Sequence, residues 1–299
     1  MNKKLIPGIK RKLKELKNYR LVNLDFAPGH YYSPIVDSNL IKSNAKQIFN
    51  FPENVPGIDL NTNGQWENME KIKNHYAELP FNDDKSNDLR YYYKNNYYSY
   101  SDAIFLYSVL REFKPKNVIE VGSGFSSAVM LDTNDKFFNG EINLHFIEPN
   151  TQRLFSLLRE KDKANTKIYP TYIQNVDMTI FNQLQENDIL FIDSTHVSKS
   201  GSDVNKIMFE ILPALNKGVL IHFHDIFYPF EYPESWVTGW KGFGWNETYL
   251  LKSFLQFNDH FKIELFNTYL ENSNETWFKE NMPKCLLNKG GSIWIRKVK

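Results

Sequence analysis

The fold of this chain is decided by NVIEVGSGFSS, residues 117–127. An apolar run that ends at Val121 predicts a buried strand, and a helix is expected to begin after Phe125. The turn between them is Gly122-Ser123-Gly124, where glycine permits positive φ and lets a ligand approach the backbone. Open α/β sheets bind their ligands at the carboxyl ends of strands. The stretch therefore predicts a ligand-binding turn at the end of a strand.

Around this turn and beyond it, short apolar runs alternate with helical stretches. The runs are Val118–Val121, Ile142–Ile147, Lys167–Ile173, Ile189–Ile192, Gly218–Phe223, Phe261–Phe266 and Ser292–Ile295. Strands that alternate with helices indicate a parallel sheet with both faces covered. No long helix separates the last two runs, so the final strand is expected to enter antiparallel. Residues 101–299 are therefore predicted to form one α/β domain with a Rossmann-like, doubly wound sheet.

The first hundred residues have a different pattern. Five prolines and many Asn and Asp residues break residues 22–90, which predicts loop-rich chain with short helices. Residues 1–20 carry eight basic residues against one acid, with Leu and Ile at helical spacing. Such a helix either makes a weak peripheral contact with an anionic membrane or packs on its own domain by one apolar stripe. Residues 1–100 are predicted to be an N-terminal extension, or lid layer.

Composition excludes several classes of protein. The 299 residues include 36 Lys and Arg and 35 Asp and Glu, and a net charge of +1 gives no sign of a nucleic-acid partner. The single cysteine, Cys285, excludes an intramolecular disulfide and a CxxC zinc site and suits a reducing compartment. No apolar run reaches the roughly 18 residues of a membrane span, and the N-terminus lacks a secretory signal pattern. A cytoplasmic location is therefore expected.

The glycine turn departs from the dinucleotide fingerprint GxGxxG, because Ser127 stands at the third glycine. Glu120 lies beside the turn, where a carboxylate would repel a pyrophosphate but suits a cationic amino-acid group. Glu148 ends the next strand, 26 residues beyond Gly122, where an acid accepts hydrogen bonds from both ribose hydroxyls. The turn and Glu148 together predict an adenosine-type ligand and weigh against NAD. A tight turn that binds nothing is the alternative.

Two further strands end in residues that carry chemistry. In ILFIDSTHVSKSGSD a buried strand delivers Asp193 to its carboxyl end, and His196 follows three residues later. In VLIHFHDIFYPFEYP, residues 219–233, the next strand delivers His224 and Asp225. Because the carboxyl ends of adjacent parallel strands meet at one edge, these side chains are expected to converge.

The chemistry of this set allows two functions. Two carboxylates and a histidine suit a divalent cation. A histidine with a pKa near neutrality suits a general base. The alternative is a set of polar strand-end residues that only form hydrogen bonds, and His222, earlier in the same strand, is expected to be a core histidine.

An aromatic insertion follows the second of these strands. Residues 227–250 read FYPFEYPESWVTGWKGFGWNETYL, and long loops in compact domains are usually lids or binding loops. Its tyrosines and tryptophans could stack on a sugar or an aromatic acceptor. They could equally pack against the N-terminal layer and merely close the site.

At these residues the chain resembles class I S-adenosylmethionine-dependent methyltransferases. More narrowly, it resembles the bacterial family in which Ile-Asp-x-x-His is followed by a strand ending in His-Asp. The matching stretches, which span nearly the whole chain, are GHYYSPI, SYSDAIFL, IEVGSGFSSAV, FIDSTHVSKSGSDV, IHFHDIFYPFEYP, WNETYLL and GGSIWIRK. The resemblance implies a seven-stranded sheet with an antiparallel last strand, and S-adenosylmethionine as cofactor.

The resemblance also implies which residues meet the cofactor. Those at the methionine portion would be Glu120, Gly122 and Gly124, and Ser123 and Ser126 are also expected to bind the cofactor. Glu148 would hold the ribose, and Asn175 or Asp177 would meet the adenine.

The chain is also similar to metal-dependent sugar O-methyltransferases of natural-product biosynthesis. These carry Asp on strand four, Glu-Asp on strand five as magnesium ligands, and a His base three residues after the first Asp. Asp193, His196 and Asp225 match that pattern, whereas His224 stands at the Glu position. An imidazole in place of a hard oxygen ligand favours a softer metal or none.

The resemblance therefore implies methyl transfer to a hydroxyl of a sugar, a glycan or another small biosynthetic intermediate. His196 and Asp193 are expected to be catalytic, and Asp193, His224 and Asp225 are the expected metal ligands. Two other functions stay open at this point. One is a cofactor-binding protein without catalysis, and the other is an NAD-dependent oxidoreductase, which Ser127 and Glu120 disfavour.

Overall fold

The computed structural model describes residues 26, 29–239 and 244–299, so the predicted helix of residues 1–20 lies outside the described residues. Two compact units form, and the larger consists of Asn50–Pro233 and Trp245–Lys299. The smaller consists of the described parts of Met1–Phe49 and Glu234–Gly244. Residues 50–100 thus belong to the same unit as the sheet. The domain boundary at residue 100 and the lid of residues 227–250 remain predictions.

A seven-stranded sheet forms the centre of the larger unit. Its strands are β1 (Asn117–Val121), β2 (Asn143–Ile147), β3 (Lys167–Tyr169), β4 (Ile189–Ile192), β5 (Leu220–His224), β6 (Phe261–Phe266) and β7 (Ser292–Lys297). They lie in the order β3-β2-β1-β4-β5-β7-β6. The pairs from β3 to β5 are parallel, and β7 runs antiparallel to both β5 and β6. The predicted doubly wound sheet with an antiparallel last strand is confirmed.

Helices cover this sheet in the larger unit. They are Thr62–Ile72, Tyr100–Phe113, Phe125–Phe137, Gln152–Leu157, Glu160–Asn165, Thr179–Asn182, Asp203–Lys206, Leu212–Ala214, Glu247–Leu255, Asn267–Ser273 and Glu275–Asn281. A π-helical turn, Ile207–Ile211, joins two of them, and 3-10 turns occupy Lys73–Glu78, Ile173–Asn175 and Pro283–Leu287. Among the described residues, no helix combines the length and apolar character that crossing a membrane requires.

The segment around Arg90, which precedes the predicted boundary at residue 100, is held in the larger unit by a buried cluster of ion pairs. The guanidinium donates to Asp132 Oδ1 and Asp162 Oδ2, each at 2.7 Å. The backbone N–H groups of Arg90 and Tyr91 both donate to Asp132 Oδ2 at 2.9 Å. Arg90, Asp132 and Asp162 are all buried. Because a buried charge that loses its partner is costly, this cluster holds the segment in one place.

The smaller unit contains three short helices, Ser38–Ser43, Ala45–Ile48 and Glu234–Val237. The side chain of Asp37 caps the first by accepting from the N–H groups of Asn39 and Leu40. Aromatic rings at positions 26, 30, 31 and 32 contact one another at centroid distances of 4.3 to 5.6 Å. This part of the chain is therefore locally ordered by a cap and an aromatic cluster.

Candidate functional site

The turn after β1 requires glycine at its first position. Gly122 has φ +83°, and a Cβ built on it would lie 1.7 Å from the carbonyl oxygen of Asp193. Its N–H donates to the carbonyl of Ile147 at 3.0 Å. Gly122 therefore joins the carboxyl ends of β1, β2 and β4, a contact that a side chain would prevent.

Ser127, which replaces the third glycine of the dinucleotide fingerprint, has a definite role in this turn. Its Oγ accepts from the N–H of Gly124 at 3.0 Å and donates to a carboxylate oxygen of Glu120. Ser126 Oγ donates to the other oxygen at 2.6 Å. Burial raises the pKa of Glu120 to about 8, against the opposing effect of these donors. Glu120 therefore organises the turn from beneath, and Ser126 stands between it and the cavity above.

A cavity of about 310 Å³ lies beside this turn. Glu148, Ile173, Gln174, Asp193 and Ser194 are among its lining residues. The carboxylate of Glu148 is fixed at the tip of β2, because Oε1 accepts from the N–H of residue 150 at 2.7 Å and Oε2 from that of residue 123 at 3.1 Å. Glu148 thus lies at the tip of β2 beside the glycine turn, and its contact with a ribose remains a prediction.

Two serine hydroxyls at this edge of the sheet lack a hydrogen-bond partner among the described residues. The Oγ atoms of Ser123 and Ser194 are buried and make no hydrogen bond within the described chain. Both residues line a second cavity, above the glycine turn. Buried hydroxyls are normally paired, so two unpaired ones in one cavity fit a site shaped for a polar ligand.

The two residues predicted to meet an adenine, Asn175 and Asp177, are exposed and engaged elsewhere. Asn175 donates to the hydroxyl of Thr171 at 3.2 Å, and Asp177 accepts from the N–H of Thr179 at 2.8 Å. Neither lines the cavity of about 310 Å³, whose wall on that side is formed by Ile173 and Gln174. Their contact with a nucleobase remains a prediction.

Asp193, His196 and Asp225 converge as predicted. The Nε2 of His196 lies 3.4 Å from Asp193 Oδ1 and 3.7 Å from Asp225 Oδ2. One ligand atom from each residue lies within 4.8 Å of the others, so the three could hold a metal ion. His196 and Asp225 both have left-handed backbones, with φ 58° and 55°. Such conformations cost about 1–3 kcal/mol each in non-glycine residues and cluster at functional sites.

Glu247 completes the surroundings of His196, and sequence reasoning missed it. Its Oε2 lies 2.8 Å from His196 Nδ1, and its side chain is only 1% exposed. The N–H groups of Asn246 and Glu247 both bond to the carbonyl of His196, so the helix Glu247–Leu255 begins on this residue. The ring of Trp245 packs on the imidazole at 4.4 Å. The stretch WNETYLL contains an acid at the start of a predicted helix, but nothing in it indicates contact with a histidine 51 residues away.

The electrostatics of this cluster favour a charged imidazole. Burial opposes the charge on His196, but hydrogen bonds to Asp193 and Glu247 outweigh it and raise the pKa well above its usual value. Burial likewise opposes ionisation of Asp193, but the nearby imidazoles of His224 and His196 hold the pKa of that carboxyl below its usual range. Burial raises the pKa of Asp225.

The two histidines of β5 occupy different surroundings. His224 lies beside the cluster, with Nε2 3.6 Å from Asp225 Oδ1, and its Nδ1 is buried without a partner in the described chain. It is not among the three residues that the geometry groups as metal ligands, so its role as a ligand remains a prediction. His222 stacks on Phe191 at 3.9 Å, and burial lowers its pKa well below the usual value. It is a neutral core histidine.

Two tyrosines of the segment after β5 pack within the larger unit. The ring of Tyr228 contacts Phe51 at 4.7 Å, and its hydroxyl donates to the carbonyl of Pro52. Tyr232 is also buried, and its hydroxyl accepts from the N–H of Thr248. These two tyrosines pack within the larger unit rather than present their faces to an acceptor. Trp240, one of the predicted stacking residues, lies outside the described residues.

Residues 119–226 match the family described as a methyltransferase domain. An uncharacterized protein of Archaeoglobus fulgidus is 31% identical over 191 residues, which are 60% of this chain and 85% of that protein.

Two solved structures resemble this chain at low identity. A methyltransferase of Podospora anserina bound to S-adenosylhomocysteine is 13% identical, with 88% of this chain and 95% of that one covered and a TM-score of 0.42. The O-methyltransferase TomG of Streptomyces achromogenes, in complex with S-adenosylmethionine, is 9% identical, with 87% and 96% covered and a TM-score of 0.42. At these TM-scores neither assigns a residue role here. The identity to the archaeal protein shows that this chain belongs to the same family as that protein, and residues 119–226 of this chain match the methyltransferase-domain family.

Proposed function

We propose that this chain is an S-adenosylmethionine-dependent O-methyltransferase whose acceptor is a hydroxyl of a small biosynthetic intermediate, of which a sugar or glycan is the first to test. The observation that carries the proposal is the placement of His196. Its Nε2 faces Asp193, which also lines both cavities at the glycine turn, while its Nδ1 is held by Glu247. A base anchored on one nitrogen, with the other beside an aspartate that lines both cavities, fits proton removal during methyl transfer.

The residues that line the cavities support the proposed cofactor independently of His196. Gly122 gives close access to the backbone, Glu148 presents a fixed carboxylate, and the hydroxyls of Ser123 and Ser194 have no partner in the described chain. S-adenosylmethionine supplies a methyl group already activated by its sulfonium. The protein therefore has to orient the acceptor and accept one proton.

The proton step falls to His196. Bound S-adenosylmethionine would supply the methyl group, and Nε2 of His196 would take the proton that the acceptor hydroxyl gives up. In the neutral form of His196, Glu247 would hold the proton on Nδ1 directed at Oε2, so that Nε2 is the nitrogen able to accept a proton. Because the surroundings raise the pKa of His196, the neutral form that can act as a base grows with pH.

Asp193, His196 and Asp225 also fit a divalent cation, with two carboxylate oxygens and one imidazole nitrogen within 4.8 Å of one another. A bound cation would acidify the acceptor hydroxyl. Asp193 and Asp225 would then hold the cation, whereas without it they orient His196. Titration of Mg²⁺ and Mn²⁺ into the wild type and Asp225→Asn decides between these roles, since only the first predicts binding that the substitution abolishes.

The test of the function is calorimetric titration of S-adenosylmethionine, S-adenosylhomocysteine and NAD. The wild type should bind the first two and not NAD. Glu148→Ala should lose that binding, whereas Glu141→Ala, an exposed acid before β2, should keep it. No binding of S-adenosylmethionine by the wild type, or a preference for NAD, would overturn the proposal.

Turnover is then measured with a labelled methyl donor across a panel of sugars, nucleotide sugars and phenols. His196→Ala should bind S-adenosylhomocysteine like the wild type and transfer no methyl group. Undiminished transfer by this variant would remove His196 as the base. Tight cofactor binding without transfer to any acceptor in the wild type would favour a cofactor-binding protein without catalysis.

A further inference from the structure

The cavity above the glycine turn, which we call the turn cavity, has an unusual arrangement of charge. Its lining includes Gly122, Ser123 and Gly124, two acids, Glu148 and Asp193, and one arginine, Arg153. Among the described residues that line it, Arg153 is the one basic side chain. It also lines the adjoining open cleft, together with Ser123 and Glu148.

Arg153 is held in place by aromatic rings and not by an acid. Its guanidinium carbon lies 3.8 Å from the ring centroid of Tyr97. That ring stacks in turn on Phe125 at 5.8 Å, with an angle of 15° between the planes. The backbone of Tyr97 is fixed by the side chain of Asn95, which accepts from its N–H at 3.0 Å. Stacking of this kind leaves the edge of the guanidinium free to donate.

The other arginines in the described chain are all engaged with protein oxygens. Arg90, Arg111 and Arg296 form ion pairs with carboxylates, and Arg159 donates to a backbone carbonyl. Arg153 has no hydrogen-bonded acceptor among the described residues, and its charge acts on Asp193 from a distance. The Oγ of Ser123, buried in the same cavity, also lacks a partner within the described chain. Two unused donors therefore face one cavity.

We infer that Arg153 binds the carboxylate of the methionine portion of the cofactor. This inference rests on the proposed function. S-adenosylmethionine carries one carboxylate, one ammonium and one sulfonium, and the turn cavity offers one guanidinium and two carboxylates. A guanidinium matches a carboxylate in geometry as well as in charge, and Ser123 can supply a further donor. The turn cavity thus offers one guanidinium for the one anionic group of the cofactor.

An anionic acceptor, such as a phosphorylated sugar in the adjoining cleft, would use the same chemistry at Arg153. Ligand analogues separate the two sources. S-adenosylhomocysteine has the carboxylate, decarboxylated S-adenosylmethionine lacks only that group, and 5′-methylthioadenosine lacks the whole amino-acid portion. Glucose 1-phosphate serves as the anion without a nucleoside.

The experiment is calorimetric titration of these four ligands into wild type, Arg153→Ala and Lys163→Ala, the last an exposed cation outside both cavities. Arg153→Ala should lower the affinity for S-adenosylhomocysteine by at least about tenfold, the usual effect of one charge-assisted hydrogen bond. It should change the affinity for decarboxylated S-adenosylmethionine and for 5′-methylthioadenosine by less than about twofold. Lys163→Ala should change none of them. Tyr97→Ala should weaken S-adenosylhomocysteine in part, whereas Tyr97→Phe, which keeps the ring under the guanidinium, should not.

Three outcomes would overturn the inference. Unchanged affinity of Arg153→Ala for S-adenosylhomocysteine would do so, and so would an equal loss for 5′-methylthioadenosine, because the defect would then lie in the nucleoside site. Loss of glucose 1-phosphate binding alone would assign Arg153 to the acceptor. If the wild type binds no S-adenosylhomocysteine at all, the proposed function itself fails, a result distinct from these three.

Discussion

Replacement of Glu247 by glutamine should change the charge state of His196. The two residues form a buried pair, with Oε2 of Glu247 2.8 Å from Nδ1 of His196 and exposed fractions of 1% and 4%. A hydrogen bond to a charged group contributes about 1.5–3 kcal/mol. Loss of the negative charge should therefore reduce the preference of His196 for its charged form by about that free energy and lower its pKa.

The direction of this change follows from the contacts. In the wild type, hydrogen bonds to Asp193 and Glu247 raise the pKa of His196 despite its burial. A glutamine preserves size but removes one of the two charges that favour the imidazolium. His196 in Glu247→Gln should therefore lose its proton at a lower pH than in the wild type.

Long-range ¹H–¹⁵N spectra of protein labelled at histidine measure this directly, because they report charge and tautomer for each ring. The matched control is Glu231→Gln, the same substitution at an acid that accepts from Tyr249 and does not touch His196. Spectra are recorded with a chelator, so that no cation competes for the imidazole. Identical titration of His196 in the wild type and Glu247→Gln would refute the assignment of Glu247 as its charge partner.

Three further predictions concern stability, each measured by urea unfolding. Gly122→Ala should destabilise by about 4 kcal/mol or more, because its Cβ would meet a carbonyl at 1.7 Å, whereas Gly140→Ala, with a similar φ and nothing within 4 Å, should cost about 1–2 kcal/mol; equal losses would contradict the clash. Burial raises the pKa of Glu120 from 4.5 to about 8, so the folded state favours its neutral form. The free energy of unfolding of the wild type should therefore fall by on the order of 3 kcal/mol between pH 5 and 8, and that of Glu120→Gln should not. Parallel pH profiles for the two proteins would argue that Glu120 ionises freely. Arg90→Met should cost about 3–5 kcal/mol, because two buried aspartates lose their partner, whereas Lys94→Ala on the surface should change stability by less than about 1 kcal/mol; similar values would mean that the cluster contributes little.

The positions of the strands along the chain could be predicted from the sequence, because buried strands of a doubly wound sheet are continuous apolar runs. The run Ile189–Ile192 was predicted with the bounds that β4 has in the structure. The run expected to extend to Ile173 instead ends at Tyr169, because Pro170 follows and has no N–H to continue the ladder. A 3-10 turn takes its place, and this turn brings Gln174 to the larger cavity.

The sequence predicts the site residues that lie at strand ends. It does not predict those that reach the site only through long-range contacts. Asp193, His196 and Asp225 come from two neighbouring strands, so the sheet topology brings them together. Glu247 and Arg153 lie on helices whose placement the sequence pattern does not give. Each looked like an ordinary charge on a helix, and only the three-dimensional contacts set them apart.

The position of β7 between β5 and β6 has a consequence for how the chain is made. On the ribosome β6 is synthesised before β7, yet among the described strands it pairs with β7 alone. The strand Phe261–Phe266 therefore has no strand to pair with until about thirty further residues have left the ribosome. An unpaired apolar strand is a site for association between nascent chains. The acid and the lysine within FKIELF, Glu264 and Lys262, place charge in the segment during that interval.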